Sequence, residues 1–173
     1  MYDYLLYFLI FSFLGWCVEV IFCLFKTGRL VNRGLARGPV CPIYGIGICL
    51  CYLLLGSVRS FVLVAVLSMA IATAVELLTG VITDRALGKR LWDYTGERGN
   101  ILGYVCPRFS LIWGIVCAVV IRLIPRLTPL FDLLRNPLGY AISVSLLVLI
   151  IVDEKFSIMK SKAIKNTAFA HNS

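Results

Sequence analysis

The chain has 173 residues, of which 60% are hydrophobic and only 15% charged, with a mean hydropathy of +0.92. Soluble domains carry roughly 25% charged and 45–50% apolar residues, so the composition weighs against a water-soluble enzyme or binding module and for an integral membrane protein. The net charge of +8 sits between apolar blocks, where Lys and Arg orient spans and meet anionic lipid headgroups, and it does not mark a nucleic-acid partner.

Met1-Tyr2-Asp3 run into the first apolar block without a basic leader or a small-residue cleavage site, so the first span is expected to be retained. That span covers about 4–25. A basic loop follows with Lys26, Arg29, Arg33 and Arg37, spaced by Gly28, Gly34 and Gly38. Span two begins at Pro42 and fades near Gly56, and span three covers about 61–82. A longer polar loop then carries Asp84, Arg85, Lys89, Arg90, Trp92, Asp93, Tyr94, Glu97, Arg98 and Asn100. Span four starts at Pro107 and is expected to end before Pro125. The two prolines of 125–136, Pro125 and Pro129, mark that stretch as a connector. Span five covers about 138–152, and a polar tail with Lys155, Lys160, Lys162 and Lys165 follows. The expected architecture is an all-α, polytopic membrane helix bundle of about five spans, with a membrane domain over 1–153 and a tail over 154–173.

Twelve of the Lys and Arg residues fall in the first loop, the third loop and the tail, against four in the second and fourth loops, with Arg108 inside span four. The positive-inside rule then places the N-terminus outside and the tail in the cytoplasm of a cell membrane.

An internal repeat is the most informative feature. Arg33-Gly34-x-x-x-Gly38-x-Val40-Cys41-Pro42 returns 65 positions later as Arg98-Gly99-x-x-x-Gly103-x-Val105-Cys106-Pro107. The unit is helix, basic loop, helix, over about 4–58 and 61–124, with one extra span at 138–152. Two helices per unit make the repeat parallel.

Glu19 and Glu76 lie inside apolar spans, where a carboxyl is costly and normally faces the bundle interior or a wet cavity. Each lies on a stripe of small or polar residues at helical spacing: Ser12, Gly15, Trp16, Glu19 and Cys23 in span one, and Ala72, Thr73, Glu76, Thr79, Gly80 and Thr83 in span three. Both are expected to look toward a shared interior, with Arg108 as the partner. The arrangement serves either as a buried pair that fixes helix packing or as a substrate or ion site. The repeated loops, with Arg33, Gly34 and Gly38 in one and Arg98, Gly99, Asn100 and Gly103 in the other, each end in Cys-Pro at a helix start. Such a loop offers backbone N–H groups to an anion, or makes a tight turn at the membrane surface.

Seven cysteines without a CxxC pair, and His171 as the single histidine, indicate neither a disulfide framework nor a metal site. Cys41 and Cys106 read as small packing residues; Trp16, Trp92, Tyr94 and Trp113 read as interface anchors or packing. There is no GxxxxGK[ST] motif, no nucleophile with a base, and hence no catalytic residue or cofactor to assign.

Gly15-Trp16-x-x-Glu19, Asn32-Arg33-Gly34-x-x-x-Gly38-Pro39-x-Cys41-Pro42-Ile43-Tyr44-Gly45-x-Gly47, Trp92-Asp93-Tyr94, Asn100-Ile101-x-Gly103 and Phe109-Ser110-x-x-Trp113-Gly114 occur in this order. Together, over about 5–120, they resemble the ABC-transporter type IV family, the CmpB-like bacterial membrane proteins. Thr95 departs from the serine usual in that family after Trp-Asp-Tyr, and Pro107 looks individual to this chain. The resemblance implies a multi-pass protein of the bacterial cytoplasmic membrane, labelled a transporter permease, and brings no substrate or catalytic residue with it.

Three functions fit. One is a small permease-like subunit that works with a separate ATPase or as a homo-oligomer. Another is a membrane enzyme acting on lipid headgroups, with Arg33, Arg98 and Arg108 as phosphate clamps. The third is an assembly or scaffold protein within the lipid bilayer.

Overall fold

The computed structural model describes residues 2–30, 32 and 34–171, without the side chains of 164 and 166–171. Five helices make up the described chain: α1 Tyr2–Thr27, α2 Pro42–Leu55, α3 Phe61–Leu87, α4 Pro107–Asp132 and α5 Pro137–His171. The fold is an all-α bundle of the membrane type. Helices α1, α3 and α4 are long and apolar enough to cross a bilayer. Helix α2 has 14 residues, about 21 Å at 1.5 Å per residue, and is short of the ~30 Å hydrocarbon core.

Local chemistry sets most helix ends. Pro42 and Pro107 occupy the first turns of α2 and α4, where a missing N–H costs nothing. The Ser60 hydroxyl accepts from Leu63 N at 3.3 Å to open α3, and Gly88, left-handed at φ 62°, closes it with its N–H on Asp84 O. Asn136 Oδ1 accepts from Gly139 N at 2.8 Å at the start of α5.

Two stretches differ from the sequence expectation. Helix α4 does not stop before Pro125 but runs through Pro125 and Pro129 to Asp132. Each proline removes a hydrogen bond and adds a clash, worth roughly 3 kcal/mol, yet Ile121, Ile124 and Phe131 on the same helix are fully packed in the core. Arg122 also anchors this end, donating to Val58 O at 2.8 Å and Arg59 O at 2.6 Å. The polar tail, for its part, continues α5 as helix to His171.

Helix α1 packs on α2 and α3 on α4, and α2 joins the two hairpins by packing on both α3 and α4. The shared core includes Leu6, Tyr7, Ile48, Cys51, Val64, Cys117 and Ile121. Small residues permit the approach. A Cβ on Gly45 would lie 2.5 Å from Phe8 O, and one on Gly114 2.7 Å from Ala65 O.

The register of the hairpins is the feature that matters for function. Cys41 N donates to Ser12 O at 2.9 Å, and Cys49 Sγ reaches Tyr4 O at 3.4 Å. Helix α2 therefore starts beside Ser12, about 22 Å short of the C-terminal end of α1 at 1.5 Å per residue. Helix α4 likewise starts beside the middle of α3, since Pro107 and Ser110 share a groove with Thr73 and Leu77. The described residues between 28 and 41, and residues 88–106, run back along α1 and α3 to reach these points.

Candidate functional site

Gly15 and Glu19 stand one turn apart on the same face of α1. A Cβ on Gly15 would lie 2.2 Å from Tyr44 Cγ, so the Tyr44 ring crosses α1 at the one place without a side chain. Its hydroxyl then donates to Glu19 Oε1 at 2.7 Å. The same device recurs in α3. The Tyr104 ring lies over Gly80, where a Cβ would be 2.9 Å from its Cδ1, and its hydroxyl donates to Asp84 Oδ2 at 2.8 Å. Gly80 and Asp84 are 65 positions after Gly15 and Glu19. The carboxylate that matches Glu19 at the repeat offset is therefore Asp84, whereas Glu76 is a second intramembrane carboxyl without a counterpart at that offset.

Glu76 is 6% exposed and accepts from the Tyr94 hydroxyl at 2.9 Å. Tyr94 comes from the third loop and stacks on Phe109, centroids 4.8 Å apart and planes 16° from parallel. Trp113 of α4 packs edge-on against Tyr44 at 4.8 Å, and its indole faces the Glu76 carboxyl without a hydrogen bond to it. Glu19 and Glu76 feel each other's charge. The two acid–tyrosine pairs form one polar centre built from α1, α2, α3, α4 and the third loop. It lies at the N-terminal ends of α2 and α4, whose macrodipoles each present about half a positive charge. Glu76 Oε2, Thr73 Oγ1 three residues before it and Trp16 Nε1 three residues before Glu19 are buried with no hydrogen-bond partner among the described residues.

The third loop is held rigidly enough to aim Tyr94. Ile101, Leu102, Gly103 and Tyr104 form a tight turn in which Leu102 (φ 53°) and Gly103 (φ 74°) are both left-handed, closed by Tyr104 N on Ile101 O and Ile101 N on Val105 O. Trp92 Nε1 donates to Tyr104 O at 2.7 Å and Tyr94 N to Gly103 O at 2.9 Å. Arg90 bridges Asp84, Asp93 and Leu102 O, and stacks on Tyr104. The Thr95 backbone N–H, then Arg90, hold the Asp93 carboxyl below its ordinary range. Asn100 braces the loop by donating to Thr95 O and Glu97 O and accepting from Gly103 N. The Trp-Asp-Tyr motif thus positions the loop, and Tyr94 is its contribution to the centre.

The basic residues do not converge on the carboxyls. Arg33 lies outside the described residues. Arg98 is exposed. The Arg108 side chain is 71% exposed and pairs with Glu97 at 3.7 Å, away from Glu19 and Glu76. In the first loop, Asn32 Oδ1 accepts from Gly34 N at 3.1 Å, while the N–H groups of Arg37 and Gly38 both donate to Asp153 Oδ2 of α5, at 2.7 and 2.9 Å. The anion at this loop is a carboxylate of the chain itself. In the other loop Gly99 (φ 71°) packs on Pro107, and a Cβ there would lie 3.2 Å from Pro107 Cγ.

Tyr44, Tyr94, Asp84, Tyr104 and Asp153 are the residues that sequence reasoning did not place. Extending the 65-residue offset upstream of Arg33 would have found Gly80 and Asp84. No local pattern announces that Tyr94 reaches Glu76, or that Asp153 reaches the first loop.

No curated protein and no solved structure matches the chain. The family model described as "Putative ABC-transporter type IV" matches residues 6–158, which takes in both repeated loops, all of α2, α3 and α4, and most of α1 and α5. The chain belongs to the ABC-transporter type IV family.

Proposed function

We propose that this protein is a permease-like membrane subunit that works with a separate ATPase subunit, in a cell membrane with its N-terminus outside and the end of α5 in the cytoplasm. The carrying observation is the Glu19–Tyr44 and Glu76–Tyr94 centre, enclosed where the two helical hairpins meet in a bundle of this family. Intramembrane carboxyls mark substrate or ion pathways by default. Short helices that begin within the bundle beside charged groups are how many transporters build a central site. The charge count supports the orientation, since twelve basic residues lie on the side of the two repeated loops and the tail.

A lipid-headgroup enzyme would keep its arginines free to clamp a phosphate beside the carboxyls, and Arg108 is instead paired with Glu97. The geometry favours the permease reading. Affinity purification of the full chain from its native membranes, followed by protein identification, tests it. The expected result is an ATPase subunit retained in stoichiometric amount. Recovery of this chain as a homo-oligomer with no ATPase would overturn the reading.

A further inference from the structure

We propose that the polar centre binds a single monovalent cation, a proton or an alkali-metal ion, held by Glu76 Oε2 and Thr73 Oγ1. The inference rests on the reading of this centre as the working site and names what it takes.

Charge sets the stoichiometry. Glu19 and Glu76 together carry two negative charges when ionised, and the N-terminal ends of α2 and α4 offset about half a charge each. Roughly one negative charge then remains in a low-dielectric interior, where an uncompensated charge is expensive. No ion pair reaches either carboxyl among the described residues. The facing groups from the packed elements are Tyr44 of α2, Tyr94 of the third loop, Trp113 of α4, the thiols of Cys41 and Cys106 at the helix starts, and, beside Cys41, Glu154 of α5. None of them brings a positive charge.

Unused oxygens set the place. Tyr44 and Tyr94 each occupy one carboxyl oxygen. Glu76 Oε2 is left buried and unpartnered on a side chain that is 6% exposed, and Thr73 Oγ1, one turn earlier on α3, is unpartnered too. A threonine in a helix ordinarily returns its hydroxyl to the carbonyl four residues back, as Thr83 does to Thr79 O. Thr73 does not.

An approach from outside the bundle extends as far as Thr73. Thr73 lines a groove of about 440 Å³ with Ser110, Met69, Leu77, Val105 and Pro107, and this groove opens to the outside of the bundle between α3, α4 and the third loop. Glu76 does not itself line the groove; in this proposal the cation reaches it past Thr73, three residues earlier on α3, while Tyr94 holds the other carboxyl oxygen.

Carbodiimide modification of the purified full chain in phosphatidylcholine vesicles, mapped by peptide mass spectrometry, tests this without any ATPase. A carbodiimide attacks a protonated intramembrane carboxyl and spares one that is ionised or cation-bound. The expected result is modification at Glu76 that is lost either on replacing choline chloride by NaCl at fixed pH, which identifies an alkali-metal ion, or on raising the pH alone, which identifies a proton. Thr73→Val should leave the modification in place and abolish the NaCl protection in the alkali-metal case, or shift its pH dependence in the proton case. Glu76 that stays unreactive at every pH, or that reacts equally under all these conditions, overturns the proposal. Failure here with an ATPase still retained on purification would sink the cation and leave the permease reading standing.

Discussion

Replacing Gly15 by alanine should unfold the first hairpin at a markedly lower temperature and release Tyr44 from Glu19. The new Cβ would sit 2.2 Å from Tyr44 Cγ and 2.5 Å from its Cβ, atoms near the α2 backbone that cannot swing aside. Overpacking of this kind costs about 1–3 kcal/mol. Loss of the tyrosine–carboxylate bond adds about 1.5–3 kcal/mol. The matching Gly80→Ala change should be milder, because its closest approach to Tyr104 is 2.9 Å. Tyr44→Phe keeps the ring and loses only the hydroxyl, so it should lose the bond term alone. Thermal unfolding in detergent micelles orders the three variants. A Gly15→Ala protein no less stable than Tyr44→Phe would show that the ring does not cross α1 at Gly15.

A second large effect is expected at Gly103. Its φ of 74° is a conformation that costs an L-residue about 1–2 kcal/mol. A Cβ there would also lie 2.8 Å from Thr95 Cγ2, 2.9 Å from Asp93 Oδ1 and 3.0 Å from Arg90 Nη1. Gly103→Ala should therefore break the Arg90–Asp93 bridge and loosen the loop that carries Tyr94, with a loss of about 3 kcal/mol in all. Gly96, in the same loop, faces open space, and Gly96→Ala should change stability by less than about 0.5 kcal/mol. Limited proteolysis within residues 88–106 separates the two. Equal resistance in both variants would contradict the role given to the turn.

Much of the fold is legible because a membrane span is a statement of length and apolarity, and the Cys-Pro pairs mark the starts of α2 and α4 unambiguously. The end of α4 is not legible in this way. Proline is a local signal, and it lost to the burial of Ile124 and Phe131 on the same helix. The site was half visible. Glu19 and Glu76 stand out as carboxyls in apolar spans, but their partners depend on how far α2 and α4 sit down along α1 and α3, which periodicity does not report. Arg108 looked like a partner by proximity in sequence to a helix start. On α4 its side chain lies beside Glu97. The repeat offset, taken from the loops alone, hid the more exact match of Gly15 and Glu19 with Gly80 and Asp84, because Glu76 is the more conspicuous carboxyl.

The proposed function rests on Glu19 and Glu76 sharing one site rather than making two separate packing contacts. A double-mutant cycle on Glu19→Gln and Glu76→Gln, read by thermal unfolding of the full chain, tests that claim most directly. Groups that share one site are coupled by about 0.5–3 kcal/mol. Removing either charge relieves the other, so the double variant should be less stable than the sum of the single effects predicts. Additivity within about 0.5 kcal/mol would contradict a common centre.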